Sequence, residues 1–295
     1  KRHAVAQRRK DNWRQIYEDC YEFALPQRNL YDGYYEGNGA PGQNKLSRVF
    51  DSTAINATQR FANRLQAGLF PAYGQWCRLE PGPDIPEDRR MEAQMALDIY
   101  ADKMFALLRQ TNFDLAMGEF LLDLAVGTAV MLIQPGDDMT PIRFTAVPQY
   151  LVAIEEGAYG KVDNVYRRMK MKGEAISQHW PDAEIPPRLQ RMIEDKPTEE
   201  IDLVEATLYM PNEGDFCYHV IGPEGKNQLL MRRMKSSPWI VARYMKVAGE
   251  VYGRGPLVTA IPDIKTLNKT LELLLKNASL SIAGVYTAAD DGVLT

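Results

Sequence analysis

Ser237-Pro-Trp-Ile-Val-Ala-Arg243, followed by Gly249-Glu-Val-Tyr-Gly-Arg-Gly-Pro256 and by leucines at helical spacing as far as Gly284, sets out a strand, a tight corner and a long helix in that order. The first segment is apolar and carries the β-branched and aromatic residues that suit a strand. Pro256 stands where the first position of a helix tolerates proline, and Pro262 follows about two turns later, so the regular helix starts at one or the other. From there Ile264, Leu267, Leu271, Leu274, Leu275, Ala278 and Ile282 fall on one face, and Lys265, Lys269, Glu272 and Lys276 on the opposite one. A helix from Pro262 to Ala283 would be about 33 Å long at ~1.5 Å per residue, long enough for a structural strut. Two readings stay open. In one, the apolar stripe is buried in the chain's own core and the lysines form a solvated face; in the other, several copies pack side by side and one polar face becomes a ring of lysines.

Working outward, Val5, Trp13, Ile16, Tyr17 and Cys20 fall near helical spacing, so residues 1–25 read as a helix closed by Pro26. Lys1, Arg2, Arg8, Arg9, Lys10 and Arg14 crowd it, as a solvated face, a subunit contact or a nucleic-acid contact. From Asn29 to Gly42 the chain is rich in Tyr, Gly and Asn and reads as an ordered loop. Tyr34 and Tyr35 there suit either an interface or a clamp on their own domain. Asp51-Ser52-Thr53 offers caps for a helix carrying Ile55, Phe61, Leu65 and Leu69, and Trp76 to Leu79 alternates like a short strand. A helical block spans Glu87 to Gly127 with a break at Thr111-Asn112. Its Met95, Leu97, Ile99, Met104, Leu107 and Leu108 are too many apolar positions for an exposed helix, so it is expected to pack on neighbours.

After Gly127-Thr128 the pattern turns to strands, at 129–134, 142–147, 150–155, 162–168, 201–210, 216–221 and 239–245, with short helices at 174–180 and 188–194. The class is α+β: a mainly helical part over 1–127, a β-rich part over 128–250, a long helix over 256–284, and a tail over 285–295 that stops just after a turn signal. With lysine at position 1, the sequence reads as a fragment.

Composition narrows the function. The 295 residues are 45% apolar, enough to fill a core, and the net charge of −4 leaves no overall basic field to grip nucleic acid through its phosphates. No apolar run nears the ~20 residues of a membrane span, and the N-terminus has no signal-peptide core, so the chain reads as soluble with no membrane partner. Cys20, Cys77 and Cys217 are odd in number and far apart, which suits buried small hydrophobes in a reducing cytosol. Gly253-Arg254-Gly255 begins like a dinucleotide fingerprint, but Val258 stands where the third glycine belongs. Asn227 after Gly225-Lys226 rules out an ATPase phosphate loop, and His3, His179 and His219 have no zinc-ligand spacing. No nucleophile elbow occurs. No catalytic residue, cofactor or metal is expected, and the chain reads as a non-enzyme.

An ordered series of segments resembles the portal, or head-to-tail connector, proteins of short-tailed bacteriophages. The series is Trp13 to Tyr17 with Leu25-Pro26, Val49 to Ala54, Trp76 to Leu79, Phe120 to Thr128, Ser237 to Arg243 and Gly249 to Pro256. Cys77 and Trp239 stand where the family usually has phenylalanine. The resemblance implies a virion protein assembled in the host bacterial cytoplasm as a homo-oligomeric ring of about twelve subunits. Double-stranded DNA would pass through the ring, and terminase, capsid or scaffold proteins and a tail adaptor would be its partners. Residues up to about 250 would be the wing, 256–284 the first stem helix and 285 onward the start of the clip, while a second stem helix and a crown are lacking from this sequence. Lys265, Lys269, Glu272 and Lys276 become candidates to face the DNA, and Arg254, Tyr252, Tyr34 and Tyr35 candidates for subunit contacts, with Arg254 expected to salt-bridge a neighbour. A competing geometry puts Leu273 and Leu280 nearer the channel and the lysines between subunits. The alternative function is a tail or collar adaptor that docks on such a ring.

Overall fold

The computed structural model describes residues 2–28, 46–137, 139–223 and 227–284. The helical part holds α1 (Arg2–Asp11), α2 (Arg14–Ala24), α3 (Thr53–Leu69), α4 (Arg90–Arg109) and α5 (Phe113–Val126). It is followed by β1 (Thr128–Pro135), β2 (Ile142–Val147), β3 (Val152–Glu156), β4 (Val162–Lys172), α6 (Gly173–His179) and α7 (Pro187–Asp195). Then come β5 (Glu200–Met210), β6 (Asp215–Ile221), β7 (Gln228–Met234), β8 (Trp239–Arg243) and α8 (Pro256–Ala283). The fold is α+β.

The strands form two antiparallel sheets, one in the order β2-β1-β8 and one in the order β3-β4-β5-β6-β7. β1 is apolar from Ala129 to Ile133, the pattern of a strand covered on both faces, and both faces are covered. Val130 and Leu132 join Val147, Ile154, Val165 and the α2 residues Tyr17, Cys20 and Tyr21 in one core. Ala129 and Met131 face the other way, onto Phe113, Ala116, Met117 and Phe120 of α5. Chain-distant β8 pairs with β1 in the register Val130↔Val241, and so carries the start of α8 to the middle of the molecule. The indole of Trp239 donates to the Thr207 hydroxyl at 2.9 Å, tying this sheet to β5 of the other.

Several expectations need correcting. The one helix read over residues 1–25 is two, parted where Trp13 N bonds back to Lys10 O at 2.8 Å. That turn lets α1 lie on the five-stranded sheet through Ala6 while α2 enters the central core. Trp76 to Leu79 pairs with no strand; Trp76 is instead packed among Phe70, Phe105 and Phe113. Ser52 precedes α3 as expected but makes no side-chain cap bond. β7 was not expected and completes the sheet beside β6. On α4 only Ala101 and Phe105 are buried, and Met91, Met95, Ile99 and Tyr100 stay exposed, so among the described residues its outer stripe is uncovered. Among the described residues, no helix is long and apolar enough to cross a membrane.

Candidate functional site on the terminal helix

α8 is 28 residues long, begins with Pro256 at its first turn and contains Pro262, so the helix starts at the earlier of its two prolines. Its root is fixed by glycines. A Cβ on Gly255 would stand 2.1 Å from Ala125 O, and one on Gly253 2.3 Å from Gly127 O. Gly127 itself has φ +146°, a conformation that L side chains rarely adopt. Two backbone segments therefore touch, joined by Gly255 N to Val126 O at 3.0 Å, while Tyr244 N just past the end of β8 bonds Gly127 O at 2.9 Å. Gly253 N also bonds the Thr128 hydroxyl at 2.9 Å. The glycines of Gly-Arg-Gly serve this crossing rather than a phosphate.

An aromatic corner seats the same root. Tyr252 is only 2% exposed, its ring 6.2 Å from Trp13 and 6.3 Å from Tyr17. Its hydroxyl accepts from Ile154 N at 3.2 Å, and burial pushes its pKa up. Tyr252 was expected at a subunit contact, but its ring is used up inside its own chain. The Arg254 guanidinium lies over Trp13 at 4.9 Å and holds both oxygens of Glu250 at 2.8 and 2.7 Å. That hydrogen-bonded grip lowers the Glu250 pKa, and the carboxylate partner of Arg254 is thus in its own chain.

Further along α8, Asn268 is buried and bonds three backbone groups at once. Its carbonyl oxygen accepts from Phe50 N at 2.7 Å and Asp51 N at 3.3 Å, and its amide donates to Arg48 O at 3.0 Å. Lys265 pairs with Asp19 of α2 at 2.6 Å and lies against the Phe23 ring. Lys269 and Lys276 share one carboxylate, Glu272, at 2.9 and 2.5 Å. Those hydrogen bonds, with Lys276 first and Lys269 second, lower the Glu272 pKa to about 2.

Beyond this point the helix leaves its own core. Leu257 is buried and Ile264 packs against the central cluster, but Leu274 is 60% exposed and Ile282 87%. Leu267, Leu273, Leu275 and Leu280 are exposed as well. The apolar stripe is therefore buried at its base and bare along its length, among the described residues. The bare leucines stand on two sides of the helix, Leu267, Leu274 and Leu275 on one and Leu273 and Leu280 on the other.

The family described as bacteriophage head to tail connecting protein matches residues 1–294. The chain belongs to that family. No curated protein matches it.

As a phage head-to-tail connecting protein the chain is a virion component. Of the residues singled out from sequence, Lys265, Lys269, Glu272 and Lys276 all lie on α8, with Lys265 turned to α2 and the other three bonded together. Arg254 and Tyr252 both reach Trp13 at the root, and Tyr34 and Tyr35 lie outside the described residues. Asn268 was missed: a single asparagine in a helix carries no signal until the segment that it holds is seen. Among the described residues, no three His, Cys, Asp or Glu side chains come together as metal ligands.

Proposed function

We propose that this chain is the subunit of a closed ring, of about twelve copies, that sits at a capsid vertex and passes double-stranded DNA during packaging and ejection. One observation carries the reading: α8 is anchored by buried glycines and aromatics at one end and shows bare leucines over the other half. An exposed helix of that composition is unstable in water unless neighbours cover it. Copies ranged side by side would do so and leave a hole on the axis. Residues up to about 250 then form the peripheral wing, α8 the stem, and the segment from Val285 leads into the clip. Terminase, capsid or scaffold proteins and a tail adaptor are the partners that such a ring serves, and assembly takes place in the host bacterial cytoplasm.

The electrostatics support a conduit rather than a clamp. Each neutralised phosphate adds salt-dependent affinity, and hence friction, to sliding DNA. The lysines of α8 are few and already answered by carboxylates, Lys265 by Asp19 and the pair Lys269 and Lys276 by Glu272. Native mass spectrometry with negative-stain images of the purified full-length protein tests the proposal. Closed rings with a central hole support it. A chain that stays monomeric and binds only a ring made by another protein overturns it in favour of a collar adaptor.

A further inference from the structure

α8 carries two stripes with the same step. Lys269, Leu273, Lys276 and Leu280 follow one another by four, three and four residues. On the far side Ile264, Leu267, Leu271, Leu274 and Ala278 repeat the alternation of three and four. At ~100° per residue the two lie about 170° apart round the helix. This spacing lets a helix interlock with a near-parallel neighbour. Neither stripe is fully spent on the chain's own fold: Ile264 packs against the central cluster and Leu271 is half-buried, but Leu273 and Leu280 on one stripe, and Leu267 and Leu274 on the other, are exposed. The second stripe begins in an apolar groove of about 340 Å³ between α3 and α8, with Asp51 and Asp263 among its walls. Among the described residues, neither aspartate has an ion pair. The first stripe has two lysines for the single carboxylate of Glu272, and so bears net positive charge.

We propose that the occupant of the groove-side stripe is the lysine–leucine stripe of a second copy of this chain. The inference rests on the ring reading and adds which faces meet. Because the two stripes differ, the contact is head-to-tail and can repeat round an axis. It assigns the lysines to the seam between subunits. The face turned away from the buried Leu257 and Asn268 then lines the enclosed space; past the exposed Asp263, at its edge towards the groove, it carries Thr266, Thr270, Asn277 and Ser281, all exposed and uncharged. The two threonine hydroxyls are already used, donating to Pro262 O at 2.8 Å and Thr266 O at 2.9 Å. Such a lining offers passing phosphates no cation to hold.

Zero-length carbodiimide cross-linking of rings made from equal parts of ¹⁴N and ¹⁵N protein tests the seam on the unmodified chain. Mixed-isotope peptides joining Lys269 or Lys276 to Asp51 or Asp263 are expected. In a second measurement the single variants Leu273→Cys and Asn277→Cys are assembled and treated with a thiol reagent. The thiol at 273 is expected to react about tenfold more slowly than the one at 277, since only the first is covered. Rings whose inter-copy links lie elsewhere, or in which 277 is protected and 273 is open, overturn this inference and leave the ring standing. If the unmodified chain forms no ring, the proposed function falls and this inference falls with it.

Discussion

The two ends of α8 belong to one helix and draw on the same leucine-rich sequence, yet they are satisfied in opposite ways. At the root, the groups that fix the helix have partners in the chain: glycines meet backbone, Arg254 meets Glu250 and Trp13, and Asn268 meets three main-chain groups. Along the shaft, Leu274, Leu275, Leu280 and Ile282 are each more than half exposed. Apolar periodicity alone does not say whether a helix is buried by its own chain or by another. The difference lies in what surrounds the stripe, and a chain can change from one regime to the other within a few turns.

Damage should therefore register in chain stability at the root and in assembly at the shaft. The largest effect is expected at Gly255→Ala, because a methyl 2.1 Å from a carbonyl oxygen forces two backbones apart. A loss of about 3 kcal/mol or more, read from urea unfolding, is expected, and a near-neutral result would break the claim that this crossing anchors the helix. Asn268→Ala comes next. It strands two part-buried N–H groups and one carbonyl, so a loss of about 1 kcal/mol is expected as a lower urea midpoint at unchanged slope. Leu274→Ser should shift the unfolding of the unassembled chain by no more than ~0.5 kcal/mol, since the side chain is already exposed, while it removes rings from negative-stain fields. A large loss of chain stability there would mean that the shaft is as tightly held as the root.

The smallest effect sharpens where one regime gives way to the other. Glu272 is expected to titrate near pH 2 rather than at its ordinary 4.5, followed by carboxyl NMR shifts. A depressed acid stabilises the folded form above its ordinary pKa, and that contribution is lost as pH falls through the folded value. Lys276→Ala should move the titration back up, by more than Lys269→Ala does, because the Lys276 hydrogen bond is the larger cause. Equal shifts would show that the two lysines are held alike.

Much of this arrangement was legible in the sequence. The unbroken apolar run of β1, proline at the start of α8, and the break at Thr111-Asn112 all speak through local rules. What stayed hidden depends on distant partners. β7 reads Gln-Leu-Leu-Met-Arg-Arg-Met, with two adjacent arginines that spoil any alternation, and it is a strand because β6 offers it an edge. Trp76 has the pattern of a strand and the fate of a core plug, since three phenylalanines from other elements enclose it. At the candidate site the lysines were visible as a row, but Asp19, which takes Lys265, lies on α2, far away in sequence. Val258 already spoke against a phosphate-binding turn at Gly253 and Gly255, but what the two glycines serve stayed hidden until Gly127 was seen against them.

Pro262 gives the terminal helix a mechanical character of its own. With no N–H to give, it leaves the Val258 carbonyl without its helical donor, and its ring crowds that carbonyl. Bending at this point therefore breaks one bond fewer than bending elsewhere in the rod. The soft joint lies between the glycine-locked crossing and Asn268, whose three bonds to residues 48–51 hold the helix just past it, so the strap formed by that segment acts as a splint across the weakest point of the rod.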